Sequence, residues 1–182
     1  MKLQGIGKQF AGGVFLVVAL LLAPTRAVAQ VTRVEVSGGW SYAHEPEVSI
    51  PAGWYASGGG YLNNWLGIVG EVSGHYKTIS EFGIDVKTSM HLFGAGPKFA
   101  YRRNPRFTPY VQALFGGGRA KASVLSFEET LSGFSYQPSG GVEINNSSGS
   151  LGVRVAVGRA GIRSEGEWFT DTLFNVGVVI RR

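Results

Sequence analysis

The chain of 182 residues has no cysteine, so it can form no disulfide, even in an oxidising compartment. The same absence excludes a lipid-modified cysteine behind the apolar N-terminal run. No apolar stretch reaches the ~20 residues that a helical membrane span requires. Beyond residue 29 no sustained helical repeat of apolar residues occurs. Histidines number three, His44, His75 and His91, and none stands at a metal-ligand spacing, so no metal is expected. Neither glycine run, Gly58-Gly59-Gly60 nor Gly116-Gly117-Gly118, is followed by the helix and the lysine-serine or lysine-threonine ending of a phosphate loop. They are expected within strands, where they permit curvature or close side-chain approach. No cofactor is expected. Basic residues outnumber acidic ones, 17 to 12, but neither a basic stripe nor a nucleic-acid recognition motif is present.

What is present begins with an export signal. Lys2 and Lys8 precede a short apolar run from Val14 to Ala23, and Ala27-Val28-Ala29 is a small-x-small cleavage site. Residues 1–29 are therefore expected to be a signal peptide, and residues 30–182 a single mature domain. Loss of Lys2, Lys8 and Arg26 leaves 14 basic residues against 12 acidic, a net charge of +2 instead of +5.

The mature chain alternates. Phe134, Tyr136, Pro138, Gly140, Val142 and Ile144 share one face, while Ser135, Gln137, Ser139, Gly141, Glu143 and Asn145 share the other. Period-two alternation places successive side chains on opposite sides of a strand. About eight such strands are expected. In the first, Val34, Val36, Gly38, Trp40 and Tyr42 oppose Glu35, Ser37, Gly39 and Ser41. A second, 53–62, is ambiguous in facing. A third sets Leu66, Ile68, Val72 and Tyr76 against Glu71, Ser73, His75 and Lys77. A fourth, 86–101, has Lys98 opposite Phe93, Ala95, Phe99 and Tyr101, and a phase change in its early part predicts a bulge near Ser89. The fifth, seventh and eighth oppose Val111, Ala113 and Phe115 to Tyr110, Gln112 and Leu114; Leu151, Val153, Val155 and Val157 to Arg154; and Phe174, Val176, Val178 and Ile180 to Asn175, Gly177 and Arg181.

Connections alternate in expected length. Residues 63–64, 102–106 and 145–150 read as tight turns, whereas 44–51, 78–85, 123–133 and 163–170 read as longer links. Glu45, Glu47, Glu81, Asp85, Glu128, Glu129, Glu165, Glu167 and Asp171 lie in or beside the longer links. The remaining acids, Glu35, Glu71 and Glu143, all fall on polar faces. Trp65, Tyr101 and Tyr110 lie near the tight turns, and Tyr42, Trp54, Tyr76, Phe134 and Trp168 near the longer links, as two aromatic girdles. Charges inside, apolar groups outside and tight turns on the periplasmic side make an all-β, eight-stranded, antiparallel up-and-down transmembrane barrel.

The segments Trp65-Leu66-Gly67-Ile68-Val69-Gly70-Glu71-Val72-Ser73-Gly74-His75-Tyr76, Gly94-Ala95-Gly96-Pro97-Lys98-Phe99, Phe107-Thr108-Pro109-Tyr110-Val111-Gln112-Ala113-Leu114 and Gly140-Gly141-Val142-Glu143 resemble small bacterial outer-membrane β-barrel proteins of the OmpA-like type. So do Arg154-Val155 and Asn175-Val176-Gly177-Val178-Val179-Ile180. The resemblance covers nearly the whole mature chain. It implies residence in the outer membrane, contact with its lipids and lipopolysaccharide, and insertion by the outer-membrane assembly machinery, as a monomer without a nucleic-acid partner. It implies no peptidoglycan-binding domain here. The family usually closes on an aromatic residue, whereas this chain closes on Arg181-Arg182.

The interior polar network is expected to comprise Glu71, Lys98, Gln112, Glu143 and Arg154, with Glu35 and Ser73 as neighbours. Eight strands leave room only for side chains inside, so these groups must pair. They can form a structural plug or a narrow polar path. Glu71, Ser73 and His75 raise a catalytic reading, but successive same-face residues of a strand stand ~7 Å apart and these face away from lipid. No catalytic residue is therefore expected. A soluble lipocalin-like barrel, weakly suggested by Gly38-Gly39-Trp40, would instead hold apolar residues inward.

Overall fold

The computed structural model describes residues 34–44, 49–50, 52–81, 84–104, 106–124, 127–164 and 166–182. The export signal at 1–29 lies outside them, as do Glu45, Glu47 and Glu165. The side chains of Glu81, Asp85, Glu128 and Glu129 are also outside the description.

The strands are β1 (Val34–His44), β2 (Ser49–Ile50), β3 (Ala52–Tyr61), β4 (Leu66–Glu81), β5 (Ile84–Ala100), β6 (Phe107–Val124), β7 (Phe127–Asn145), β8 (Leu151–Ser164) and β9 (Glu167–Arg181). Apart from the two-residue β2, each pairs antiparallel with its sequence neighbours, and β1 pairs with β9. That last ladder, from Glu35↔Arg181 to His44↔Thr172, closes an eight-stranded barrel and leaves no sheet edge there. Both described chain ends sit at one rim, where Val34 and Arg182 exchange backbone hydrogen bonds of 2.9 Å.

The period-two pattern sets the facing. Along β8, Gly152, Arg154 and Ala156 are buried while Leu151, Val153, Val155 and Val157 are exposed. In β3 the ambiguity resolves by parity: Tyr55, Ser57 and Tyr61 point inward, and Trp54 and Ala56 outward. An apolar-in, polar-out barrel of the lipocalin kind is thereby excluded, because Glu35, Glu71, Lys98, Glu143 and Arg154 are all buried.

Three expectations are corrected. No bulge occurs near Ser89: it pairs with Tyr76 and with Lys121 in an unbroken register. The phase change is one of chemistry, since Met90 and Leu92 point into an apolar interior cluster with Ala43, Ile50, Ala160, Ile162 and Leu173. The longer links are mostly strand. Only two residues separate β4 from β5, β6 from β7 and β8 from β9, whereas the connections at the rim bearing the chain ends have four to six residues. Polar residues complete ladders as well as apolar ones, so pairing runs on past the apolar belt. As a result, 77–81 of β4 pair only with β5, and 127–133 of β7 only with β6, and a four-stranded tongue extends beyond the closed barrel. Finally, Tyr110 is an interior residue, only 5% exposed, and not part of a girdle. Trp65 and Tyr101 do face outward at the rim of the chain ends, and Trp54, Tyr76, Phe134 and Trp168 toward the other.

The glycines matter where strands meet bulk. A Cβ on Gly117 would lie 2.5 Å from the Phe93 ring, and one on Gly118 2.6 Å from Ile162. Gly166, at φ +94°, takes the left-handed conformation just before β9, at the connection from β8.

Candidate functional site

The inward residues of β1 read Glu35, Ser37, Gly39, Ser41 and Ala43, and those of β9 read back from Arg181 through Val179, Gly177 and Asn175 to Leu173. The lumen is therefore layered. Ions lie nearest the chain ends, neutral polar groups lie midway, and the apolar cluster lies farthest.

The ionic layer is one connected cluster. Lys98 Nζ donates to Glu35 Oε1 at 2.5 Å and to Glu143 Oε1 at 2.7 Å. Arg154, opposite Glu143 in the β7–β8 register, donates to Glu143 Oε1 from Nε at 3.1 Å and from Nη2 at 2.7 Å. Its Nη2 also donates to Glu35 Oε1, and its Nη1 to Ser37 Oγ at 2.6 Å and Ser57 Oγ at 3.2 Å. Lys98 and Arg154 are each 1% exposed, and Glu143 is wholly buried. Nε and Nη2 of Arg154 thus converge on one oxygen of Glu143, and such charge-assisted hydrogen bonds are stronger than those between neutral groups.

Sequence reasoning missed two cations. Arg181 donates to Glu35 Oε2 at 2.9 Å, to Asn145 Oδ1 at 2.7 Å and to Glu143 Oε2. Its inward parity is visible in the alternation of β9, but its place beside the chain's last residue masks it as part of a basic ending. Arg102 lies 3.5 Å from Glu35 Oε2 and 3.9 Å over the Tyr61 ring; a connecting segment carries no parity that could have placed it. The Tyr110 ring lies 4.2 Å from Lys98 Nζ, a cation-π contact in a desolvated setting.

The other expected members stand apart from this cluster. Gln112 Nε2 reaches Glu71 Oε2 at 3.4 Å, while Gln112 Oε1 has no protein partner. Ser73 Oγ is buried without a hydrogen bond, and His75 turns to Ser41 instead, Nε2 to Oγ at 2.8 Å. Ser41 gives its one proton to Asn175 Oδ1 at 2.5 Å, so His75 donates to the hydroxyl. A histidine that donates to serine is not its general base. Glu71, Ser73 and His75 therefore do not assemble a triad. Among the described residues no group of three or more metal-ligating side chains occurs.

The profile of the outer membrane protein beta-barrel domain family matches residues 13–181. The chain belongs to that family. In sequence, no curated protein matches it significantly. In structure, the barrel is similar to Ail, the attachment invasion locus protein of Yersinia pestis. The two are 19% identical with a TM-score of 0.60, over 84% of this chain and 100% of that one. It is also similar to neisserial surface protein A, at 14% identity and a TM-score of 0.61, over 81% and 95% of the two chains. The N-terminal barrel domain of Pseudomonas aeruginosa OprF matches at 10% identity and a TM-score of 0.59, over 83% and 98%.

For an outer-membrane barrel the exposed apolar belt is a lipid contact. Val36, Ile68, Val111, Ile144, Val153 and Val178 are each about half exposed and face outward. In water such a continuous surface would drive aggregation, whereas in hydrocarbon it costs nothing. No helix among the described residues is long and apolar enough to cross a membrane; this barrel crosses with strands.

Proposed function

We propose that the protein is a non-enzymatic outer-membrane anchor, closed to ions, that presents the ends of its strands at the cell surface. Residues 1–29 are read as the removed signal and 30–182 as the mature, monomeric barrel. The chain ends face the periplasm, and the β4–β7 tongue projects outward among lipopolysaccharide and external partners. The assembly machinery inserts it with Ile180 as the last outward apolar residue.

The observation that carries the reading is the lumen-crossing ion cluster. Lys98 on β5 reaches Glu35 on β1 and Glu143 on β7 together, while Arg154 and Arg181 hold the same two carboxylates. An ion would have to displace several charge-assisted hydrogen bonds in a desolvated space and then pass the apolar layer of Met90, Leu92 and Ile162. Surface interaction is favoured by the tongue, since polar strand ends beyond the belt have no role in spanning lipid. Ail, whose name records attachment, has also been solved with the heparin analogue sucrose octasulfate. The test is planar-bilayer recording on the purified, folded protein. No discrete conductance is expected, and reproducible single-channel openings would refute the closed lumen.

A further inference from the structure

The rim that carries the chain ends has a one-sided charge. Its connections, residues 62–65, 101–106 and 146–150, contain three arginines and no acid. Arg103 and Arg106 are exposed there, while the nearest acidic side chains, Glu35 and Glu143, are buried in the ionic layer and already paired. Among the described residues no carboxylate pairs with Arg103 or Arg106.

Beside this charge lies a shaped apolar cleft. It has a volume of about 420 Å³ on the outer wall between β5 and β6, lined by Trp65, Phe99, Tyr101, Pro109 and Val111. Trp65 stacks on Phe99 with ring centroids 5.9 Å apart, which makes one wall flat and rigid. A second cleft of about 520 Å³ adjoins it, sharing Trp65, Ala100 and Tyr101 and adding Asn64, Arg102 and Arg103. The pair forms one amphiphilic groove, apolar toward the belt and cationic toward the rim.

We propose that this groove binds one anionic glycerophospholipid, of the phosphatidylglycerol type. An acyl chain lies along Trp65, Phe99 and Val111, and the phosphodiester sits on Arg103 with Arg106 adding to the local potential. Charge complementarity selects the headgroup, because a zwitterionic lipid brings its own cation to a rim that already has several. Arg102 is not the headgroup ligand, since Glu35 and Tyr61 hold it inward. The inference deepens the membrane reading and rests on the periplasmic orientation only for which leaflet supplies the lipid.

The reporter is already in the groove. Trp65 is kept as the sole tryptophan by Trp40→Phe, Trp54→Phe and Trp168→Phe, and the protein is folded into phosphatidylcholine bilayers. Quenching by brominated phosphatidylglycerol is then compared with quenching by brominated phosphatidylcholine. The anionic lipid should win at Trp65 by roughly fivefold for each guanidinium engaged. Arg103→Gln with Arg106→Gln should bring the ratio close to one. A chain keeping only Trp54, which faces outward toward the other rim, should show no preference, and millimolar inorganic phosphate should not reverse the preference at Trp65. Equal quenching by both lipids, a preference that survives the arginine substitutions, an equal preference at Trp54, or displacement by free phosphate would each overturn the proposal. Native mass spectrometry of the unsubstituted protein with the two lipids should show the same preference without the tryptophan changes. Absence of quenching by either lipid would instead refute the membrane-embedded barrel.

Discussion

Glu143→Gln should destabilise the barrel more than Arg154→Met, although both groups belong to one ion pair. Ion pairs join two carboxylates, Glu35 and Glu143, to four cations, Lys98, Arg102, Arg154 and Arg181. Removing Glu143 leaves a single carboxylate among four buried or half-buried cations. It also takes the shared acceptor from Lys98, Arg154 and Arg181. Stranding buried charge in this way costs about 3–5 kcal/mol. Removing Arg154 leaves two carboxylates that Lys98 and Arg181 still satisfy, so the cost is that of hydrogen bonds to charged groups, about 2 kcal/mol. The double variant should be milder than the sum of the two by about 1–3 kcal/mol, because Arg154 is no longer present to be stranded. The assay is urea unfolding in phospholipid vesicles near neutral pH, followed by tryptophan emission. With a slope of about 2 kcal/mol per molar urea, Glu143→Gln should lower the midpoint by about 2 M. An unchanged midpoint, an equal or larger effect of Arg154→Met, or strict additivity would refute the ionic layer as described.

Substitutions at two further positions test the polarity of the wall. Val155 faces outward between Val153 and Val157, so Val155→Lys should cost about 2–4 kcal/mol in bilayers while Val155→Leu stays near neutral; equal midpoints would argue against lipid contact at that position. Ser135 Oγ is buried with no protein hydrogen-bond partner, so Ser135→Ala should be neutral or stabilising by about 1 kcal/mol. A marked loss of stability would show that the hydroxyl has a partner after all.

Sequence and tertiary structure divide the determination of this protein along a physical line. Alternation is local, since a strand must put Glu143 and Ile144 on opposite sides whatever else happens. For that reason the strand number, the polar lumen, the outward valines of β8 and β9 and the inward facing of Glu35, Lys98 and Arg154 were all legible in the chain. Parity says only which wall a residue leaves; it does not say how far across the lumen it reaches or whom it meets. Only barrel closure by β1 on β9 brings Arg181 to Glu35 and lets Lys98 span to two strands at once. Chemistry alone also misleads where the interior changes character along the axis. Met90 and Leu92 look lipid-facing and so mimic a bulge, until Ala160, Ile162 and Leu173 arrive from distant strands to surround them. Tyr110 has the ring and the height of a girdle residue, but its parity opposite Val111 turns it inward, and only closure shows that its ring face carries Lys98. Strand ends likewise depend on the partner, because a polar segment such as 77–81 becomes strand only when another strand of matching register lies beside it. Residue type and spacing thus determine facing, and closure determines contact.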